Sequence, residues 1–269
     1  MITTLIIFGS NGMLGTYFTR YFSDLYKVIP LTRNEFDINN ISSLEDFLLS
    51  LDCNEQTCII NCAGMIPQRM KNRSITEYYT VNTVFPLQLS KICKKLNTYL
   101  ICPTTDCVFS GKKGDYTETD FHDETDSYGI SKSLGEPYDA TVIRTSIIGE
   151  EVNNKCSFLE FIRNNRVING WDNHIWNGIT CYQYCKIVHT IITNQLFWKG
   201  VRHIYSPQKK TKYELACIIR HIYQLDSVIH KQNTITNVDK TLVSIYDSLF
   251  DIPSLEVQIE QQSRFILKS

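Results

Sequence analysis

Residues 3–15 read Thr3-Thr-Leu-Ile-Ile-Phe8-Gly9-Ser-Asn-Gly12-Met-Leu-Gly15. The opening run is short, mostly apolar, and does not alternate with polar residues. Such a run reads as a parallel strand buried on both faces. Beyond it Leu14, Phe18, Tyr21 and Phe22 recur at helical spacing. The three glycines therefore fall in a turn between a strand and a helix. There they permit tight folding and let backbone N–H groups approach a pyrophosphate at the helix N-terminus. The spacing alone is a weak signal. Its position makes Gly9, Ser10, Asn11, Gly12, Met13, Leu14 and Gly15 a candidate dinucleotide loop.

The segments that follow repeat the strand–helix alternation. Lys27-Val-Ile-Pro-Leu31 is a second strand, and Pro30 places it near an edge or a strand end. The tip of such a strand selects the cofactor. A carboxylate there accepts from a ribose 2′-hydroxyl, whereas a cation pairs with a 2′-phosphate. The tip here is Thr32-Arg33-Asn34, so Arg33 favours NADPH, while Glu35 close by keeps NADH admissible. Ser42 or Ser43 is placed to cap a helix through Leu44, Phe47, Leu48 and Leu51. Cys58-Ile-Ile-Asn-Cys62-Ala63-Gly64 is a third strand and turn, with small residues where a cofactor must lie close. The loop after it carries Arg69, Lys71 and Arg73, a basic cluster suited equally to a phosphate or to solvent.

Thr76 to Lys95 has a helical pattern with Tyr79, Val81, Phe85, Leu87, Leu89 and Ile92 inward; Pro86 should kink or divide it. Asn82 interrupts that face, and an inward Asn must find partners. Tyr99-Leu-Ile-Cys102 is the fourth strand, leading into Thr104-Thr105. This alternation predicts an α/β, Rossmann-type doubly wound parallel sheet. Ligands of such sheets sit at the carboxyl ends of the strands, where Gly9, Arg33, Asn61 to Gly64 and Thr104-Thr105 all fall.

Tyr128 and Lys132 then stand four apart at the start of a helix, on one face of it. An ammonium beside a phenol favours the phenolate, which makes a proton donor usable near neutral pH. A Thr hydroxyl from a strand end could share hydrogen bonds with that phenol and a substrate oxygen. In a chain with 15 Tyr, this spacing arises by chance about once. Its convergence with the strand ends is what marks Thr105, Tyr128 and Lys132 as the candidate catalytic group.

The composition is compatible with this reading. The 269 residues are 43% hydrophobic, enough for one large or two modest domains, and the net charge of −1 gives no general attraction to nucleic acid or anionic lipid. Ten cysteines without a Cys-x-x-Cys pair read as buried thiols of a reducing cytoplasm. Cys181, Cys185 and His189 share a helix face but lack a fourth ligand, so no metal is expected. The sequence shows neither a signal-peptide pattern nor an apolar run of membrane-spanning length.

The motifs Gly-x-x-Gly-x-x-Gly, Asn-x-Ala-Gly, Thr-x-Asp-x-Val-Phe-x-Gly and Tyr-Gly-x-Ser-Lys-x-x-Gly-Glu together resemble the extended short-chain dehydrogenase/reductases. The run from Thr104 to Asp120 is similar, more narrowly, to the dTDP-4-dehydrorhamnose reductase branch. The resemblance covers most of residues 1 to 149, including Arg144-Thr145-Ser146. It implies hydride transfer from NADPH to the 4-keto carbon of a nucleotide-linked 6-deoxy sugar. Tyr128 would donate the proton, Thr105 would polarise the carbonyl, and Lys132 would lower the Tyr pKa and hold the nicotinamide ribose. It also implies Asp37 and Ile38 beside the adenine, and Thr104, Asp106, Cys107, Ile147 and Trp176 around the substrate. A homodimer is compatible with it. Cys107 and Ile147 replace the family's usual aromatics, so the sugar pocket looks rebuilt. A 4-epimerase, a 4,6-dehydratase and a non-catalytic NADP-binding subunit are the alternatives. The absence of an acidic pair beside Thr105 argues against the dehydratase.

The rest of the chain says less. Phe158, Phe161 and Ile162 suit an amphipathic helix, Thr180 caps a helix to about Asn194, and Val201 to Tyr205 reads as a strand; these last two return to the domain of residues 1–149. Lys212 to Tyr223 reads as helical. Residues 150–179 and 206–269 are expected to form a small substrate-binding lobe, with only short strands and turns after residue 224. Trp171 and Trp176 could stack on a base or pack internally.

Overall fold

The computed structural model describes residues 1–69, 74–153 and 155–265. The first half alternates β1 (Thr4–Phe8), α1 (Met13–Phe22), β2 (Lys27–Leu31), α2 (Leu44–Ser50), β3 (Thr57–Asn61), α3 (Ile75–Tyr79), α4 (Phe85–Lys95), β4 (Tyr99–Thr105), α5 (Ser127–Leu134) and β5 (Thr141–Thr145). There follow β6 (Ile147–Ile148), α6 (Phe158–Asn164), β7 (Val167–Trp171), β8 (His174–Trp176), β9 (Ile179–Thr180), α7 (Cys181–Thr193) and β10 (Gly200–His203). The chain closes with β11 (Lys210–Thr211), α8 (Lys212–Ile222), β12 (Val228–Gln232), β13 (Val238–Asp239) and α9 (Leu255–Arg264).

Six parallel strands lie in the order β10-β5-β4-β3-β1-β2. Helices cover both faces, as a doubly wound sheet requires. Leu5 and Ile7 of β1 pack with Phe18, Tyr184 and Val188 from α1 and α7, while Ile6 and Phe8 pack with Phe85 and Leu89 of α4. A strand covered twice has no solvent face, which is why β1 shows no alternation in sequence. Pro30 is in β2, an edge strand, where a missing N–H is tolerated. The winding direction reverses between β1 and β3, and their carboxyl ends open a crevice there.

Pro86 divides the third helical segment as expected. α3, capped by Ser74, gives way to a wider π turn over Thr80–Val84, and α4 starts with Pro86 in its first turn. The inward tyrosine is Tyr78 rather than Tyr79. Other expectations need correction. Tyr99 is 38% exposed and stacks on Phe197, because β5 begins opposite Ile101 and leaves the first residue of β4 paired with β3 alone. The Ser43 hydroxyl donates back to the Asn40 carbonyl and leaves α2 uncapped. In α6 it is Leu159, not Phe161, that turns inward.

Small sheets of β11-β8-β13 and β12-β7 join α6, α8 and α9 around a separate core containing Leu159, Trp176, Leu215 and Leu255. The ten-residue α9 was not expected. Its inward face is half polar: Gln258 and Gln262 are fully buried beside Leu255 and Ile259. Gln258 accepts from the Thr180 N–H and donates to Ser206 and to the Pro253 carbonyl, so glutamines occupy positions where an apolar period would have announced a helix.

Candidate active site

The crevice between β1 and β3 is a cleft of about 750 Å³. Gly9, Asn11 and Gly12 line one wall. Gly9 has φ of +70°, and a Cβ there would lie 2.7 Å from the Ala63 nitrogen, so only glycine fits. A Cβ on Gly15 would lie 2.2 Å from the Gly9 carbonyl oxygen, which is how closely α1 sits on the turn. Ser10, Met13, Leu14 and Gly15 do not line the cleft. Ser10 is buried with its N–H on the Leu31 carbonyl, and Leu14 turns into the core. Their contribution is the helix start itself, whose first N–H groups lack partners within α1.

The tip of β2 supplies Thr32, Arg33, Asp37 and Ile38 to the same cleft, and Cys62, Ala63 and Gly64 close its floor. Glu35 does not neutralise Arg33. Its carboxylate accepts from the Thr32 N–H at 2.7 Å and hydroxyl at 2.6 Å. Arg33 is exposed and has no ion pair among the described residues. These residues fit a dinucleotide carrying a 2′-phosphate. Gln68 also lines the cleft, whereas Lys71 and Arg73 of the expected basic cluster lie outside the described residues.

Thr105 and Tyr128 meet at the next strand end. Asp126 caps α5 by accepting from the Gly129 N–H at 2.6 Å, which fixes the turn bearing Tyr128. Thr105 accepts from the Cys107 N–H at 3.1 Å and donates to Asp106 Oδ1 at 3.2 Å, and its hydroxyl lies close enough to the Tyr128 phenol to act on it. Burial is the largest influence on the phenol and pushes it up, nearby Cys107 and Asp106 add to that, and the Thr105 hydroxyl pulls it down. The phenolate-stabilising effect expected from the spacing is therefore outweighed by desolvation in the protein alone. The Lys132 ammonium acts on Cys62 and Cys102, at or near the ends of β3 and β4, and is itself held down by burial. It has no hydrogen-bond partner among the described residues and lines a small pocket with Asn61, Ala63 and Val81, of which Ala63 and Val81 also line the cleft, so a ligand hydroxyl reaching there would satisfy it.

Two buried polar groups hold this arrangement. Asn82 accepts from the Met65 N–H, donates to the Met65 carbonyl at 2.9 Å, and donates to the Ser131 hydroxyl at 3.0 Å. It ties the π turn to the cleft floor and to α5, the role its place in an apolar pattern foreshadowed. The second group was missed as a site component. Arg144 of β5 is 1% exposed and forks onto Glu136, donating through Nε at 3.0 Å and through Nη2. It also donates at 2.8 Å to Nε2 of both His122 and His203. A guanidinium only donates, so both imidazoles accept at Nε2 and carry their proton on Nδ1. Burial, with Arg144 adding, holds both histidines below their usual range, His203 at about 4. Glu136 accepts from the Thr104 hydroxyl at 3.0 Å, so this cluster anchors the strand end that delivers Thr105. A charged residue inside Thr141-Val-Ile-Arg144-Thr145 was the available signal.

The expected substrate residues are not all brought together. Asp106 is buried and Cys107 half-buried in the turn after Thr105, with the thiol 3.6 Å from Asp106 Oδ1. Thr104 faces Glu136, and Ile147 packs against the main core. Trp176 is 4% exposed in the core of the small sheets, with the Lys212 ammonium 5.1 Å above its ring. Trp171 is 44% exposed beside His174. Cys181 and Cys185 are buried core thiols, and His189 bonds Tyr21 at 3.3 Å.

The sequence pattern described as RmlD substrate binding domain matches residues 3–242. A dTDP-4-dehydrorhamnose reductase from Aggregatibacter actinomycetemcomitans is 28% identical over 231 residues, covering 80% of this chain and 77% of that protein. Two crystal structures share the fold. The dTDP-4-dehydrorhamnose reductase of Clostridium acetobutylicum superposes with a TM-score of 0.81 at 17% identity, covering 97% of this chain and 98% of the other. That of Bacillus anthracis, solved in complex with NADP, gives 0.81 at 19% identity, covering 98% and 99%.

Proposed function

Because the chain belongs to the RmlD substrate binding domain family, we propose that it is an NADPH-dependent reductase of the 4-keto group of a nucleotide-linked 4-dehydro-6-deoxy-hexose. The observation that carries this reading is the convergence of the Thr105 hydroxyl and the Tyr128 phenol at the end of β4, with Lys132 one turn along α5 and its ammonium acting on Cys62 of the cleft floor. NADPH, when bound, supplies the hydride. Tyr128 gives its proton to the sugar O4 as negative charge develops there, and the Thr105 hydroxyl hydrogen-bonds the same oxygen. Burial that raises the phenol keeps it protonated until that moment. Lys132 hydrogen-bonds a ribose hydroxyl and lends positive charge to the developing phenolate. Arg33 pairs with the 2′-phosphate, and Asp37 and Ile38 flank the adenine. The described residues of 150–179 and 206–269 form the lobe that holds the nucleotide sugar.

The relatives' names support dTDP-4-dehydrorhamnose as the substrate. One observation favours a second reading. Cys107 places a small side chain beside Thr105, in a position where the family usually has an aromatic. The freed volume would take a bulkier 2-substituent, such as the acetamido group of a UDP-2-acetamido-2,6-dideoxy-hexulose, giving a UDP-N-acetyl-rhamnosamine-like product. Ile147 lends this no support, since it packs into the core. The test is incubation with NADPH and both 4-keto sugars, read by absorbance and product mass. Oxidation of NADPH with neither sugar refutes the reductase reading. A preference of about tenfold or more in kcat/KM for the 2-hydroxy sugar, about 1.4 kcal/mol in transition-state binding, refutes the acetamido reading.

A further inference from the structure

Two lysines act through space on the Asp106–Cys107 turn, and their surroundings differ. Lys240, just after β13, is paired with Glu124 at 3.0 Å. Lys212, the first residue of α8, has no carboxylate partner and no hydrogen bond among the described residues. Its ammonium rests on two ring faces, 4.9 Å from Phe158 and 5.1 Å from Trp176. The position is fixed from below. Thr211 and Glu214 form a reciprocal capping box at the start of α8, and Thr211 pairs with Ile175 of β8, next to Trp176. Lys212 is half-buried, and burial lowers its proton affinity, while Asp106 and Cys107 act through space to raise it. A partly desolvated cation held on aromatic faces, with no anion of its own, is an incomplete ion pair. Ile175, next to Trp176, accepts from the Lys240 N–H at 3.4 Å, and Glu124, the partner of Lys240, donates its N–H to the Val108 carbonyl at 3.2 Å, so Lys212 lies on the side of the turn that follows Thr105, on elements outside the main sheet.

We infer that Lys212 is the anchor for the diphosphate of the nucleotide-sugar substrate, with Lys240 already neutralised and excluded from that role. The inference rests on the proposed reductase reading and deepens it. In that substrate class the diphosphate is the permanent anionic group, and it is joined to the sugar across the ring from C4. With C4 held at Thr105 and Tyr128, the diphosphate leaves the main sheet toward the lobe, where Lys212 stands. Lys212 also covers Trp176, so the lobe meets the nucleotide with a charge where the sequence had suggested a stacking ring.

The test compares dTDP with thymidine by titration calorimetry, on the full chain and three variants. Lys212→Gln should lose roughly tenfold to a hundredfold in dTDP affinity, the scale of one charge-assisted contact, with thymidine affinity unchanged. Lys212→Arg should restore most of the loss, and Lys240→Gln should stay within about threefold of the parent. NADPH affinity, measured on each variant, should not move, and that would show the fold intact. Equal dTDP affinity in Lys212→Gln and the parent overturns the inference, as does an equal fall for thymidine. In either case turnover of a 4-keto sugar by the parent leaves the reductase reading standing. If the parent binds neither dTDP nor UDP, inference and reading fall together.

Discussion

Replacing Glu136 with Gln probes whether the buried Arg144 cluster supports the active site. The carboxylate takes two of the guanidinium's bonds and one from the Thr104 hydroxyl, with side-chain exposures of 2% for Arg144 and 7% for Glu136. Removing one partner of a buried pair costs about 3–5 kcal/mol, because the other charge stays buried. Gln keeps an acceptor, and His122 and His203 continue to accept from Arg144, so a loss near about 3 kcal/mol is expected. For a chain of this size that corresponds to a fall in Tm of roughly 6–12 °C. Function should change in a definite direction as well. Glu136 is one of the groups that hold the Lys132 ammonium up against burial. Without its charge Lys132 deprotonates more easily, so the alkaline limb of the kcat–pH profile should move to lower pH. Differential scanning fluorimetry and steady-state kinetics across pH would measure both effects. A Tm within about 1 °C of the parent, together with an unmoved alkaline limb, would refute the reasoning.

Tyr128→Phe should reduce turnover by about 10²-fold or more while NADPH binding stays close to the parent; a decrease of only a fewfold removes Tyr128 from the proton-donor role. Arg33→Ala should weaken NADPH by about 1.5–3 kcal/mol and leave NADH nearly unaffected, and equal losses for both would show that Arg33 does not read the 2′-phosphate. His203 is held at about 4 by burial and Arg144, below its ordinary value, so the unfolded chain binds more protons between about pH 6.5 and 4. Stability from this group is complete above that window and declines as pH falls through it, by up to about 3 kcal/mol. In urea titrations His203→Gln should therefore show a shallower acid decline, and a slope identical to the parent's would contradict the assignment.

The main sheet was legible because its inner strands β1, β3 and β5 leave almost no face to solvent. Runs such as Cys58-Ile-Ile and Thr141-Val-Ile carry apolar residues at successive positions, and turn glycines punctuate them. The lobe was less legible for a physical reason. Its elements are short, β11 and β13 being two residues each, and its core helix α9 buries glutamines whose hydrogen bonds replace apolar contacts. Periodicity reports hydrophobic burial only. A buried amide satisfied by a distant backbone, as Gln258 is by Thr180, leaves no mark in the local pattern.

The site divides along the same line. Residues whose role is to be small or to stand at a fixed spacing could be read directly: Gly9 against Ala63, and Tyr128 with Lys132 on one helix. Residues whose role depends on a partner far along the chain could only be suspected. Arg144 needs Glu136, His122 and His203 from three different segments before its charge makes sense inside a strand. The same dependence reverses the electrostatic expectation at Tyr128. Spacing placed an ammonium on the phenol's helix face, but burial is the largest influence on that phenol, with Cys107 and Asp106 adding to it. An i,i+4 pair fixes which helix face two groups share. It does not fix which of them faces the other, and desolvation then sets the sign of the shift. The phenol therefore rests protonated, which is the state a proton donor must hold before a hydride arrives.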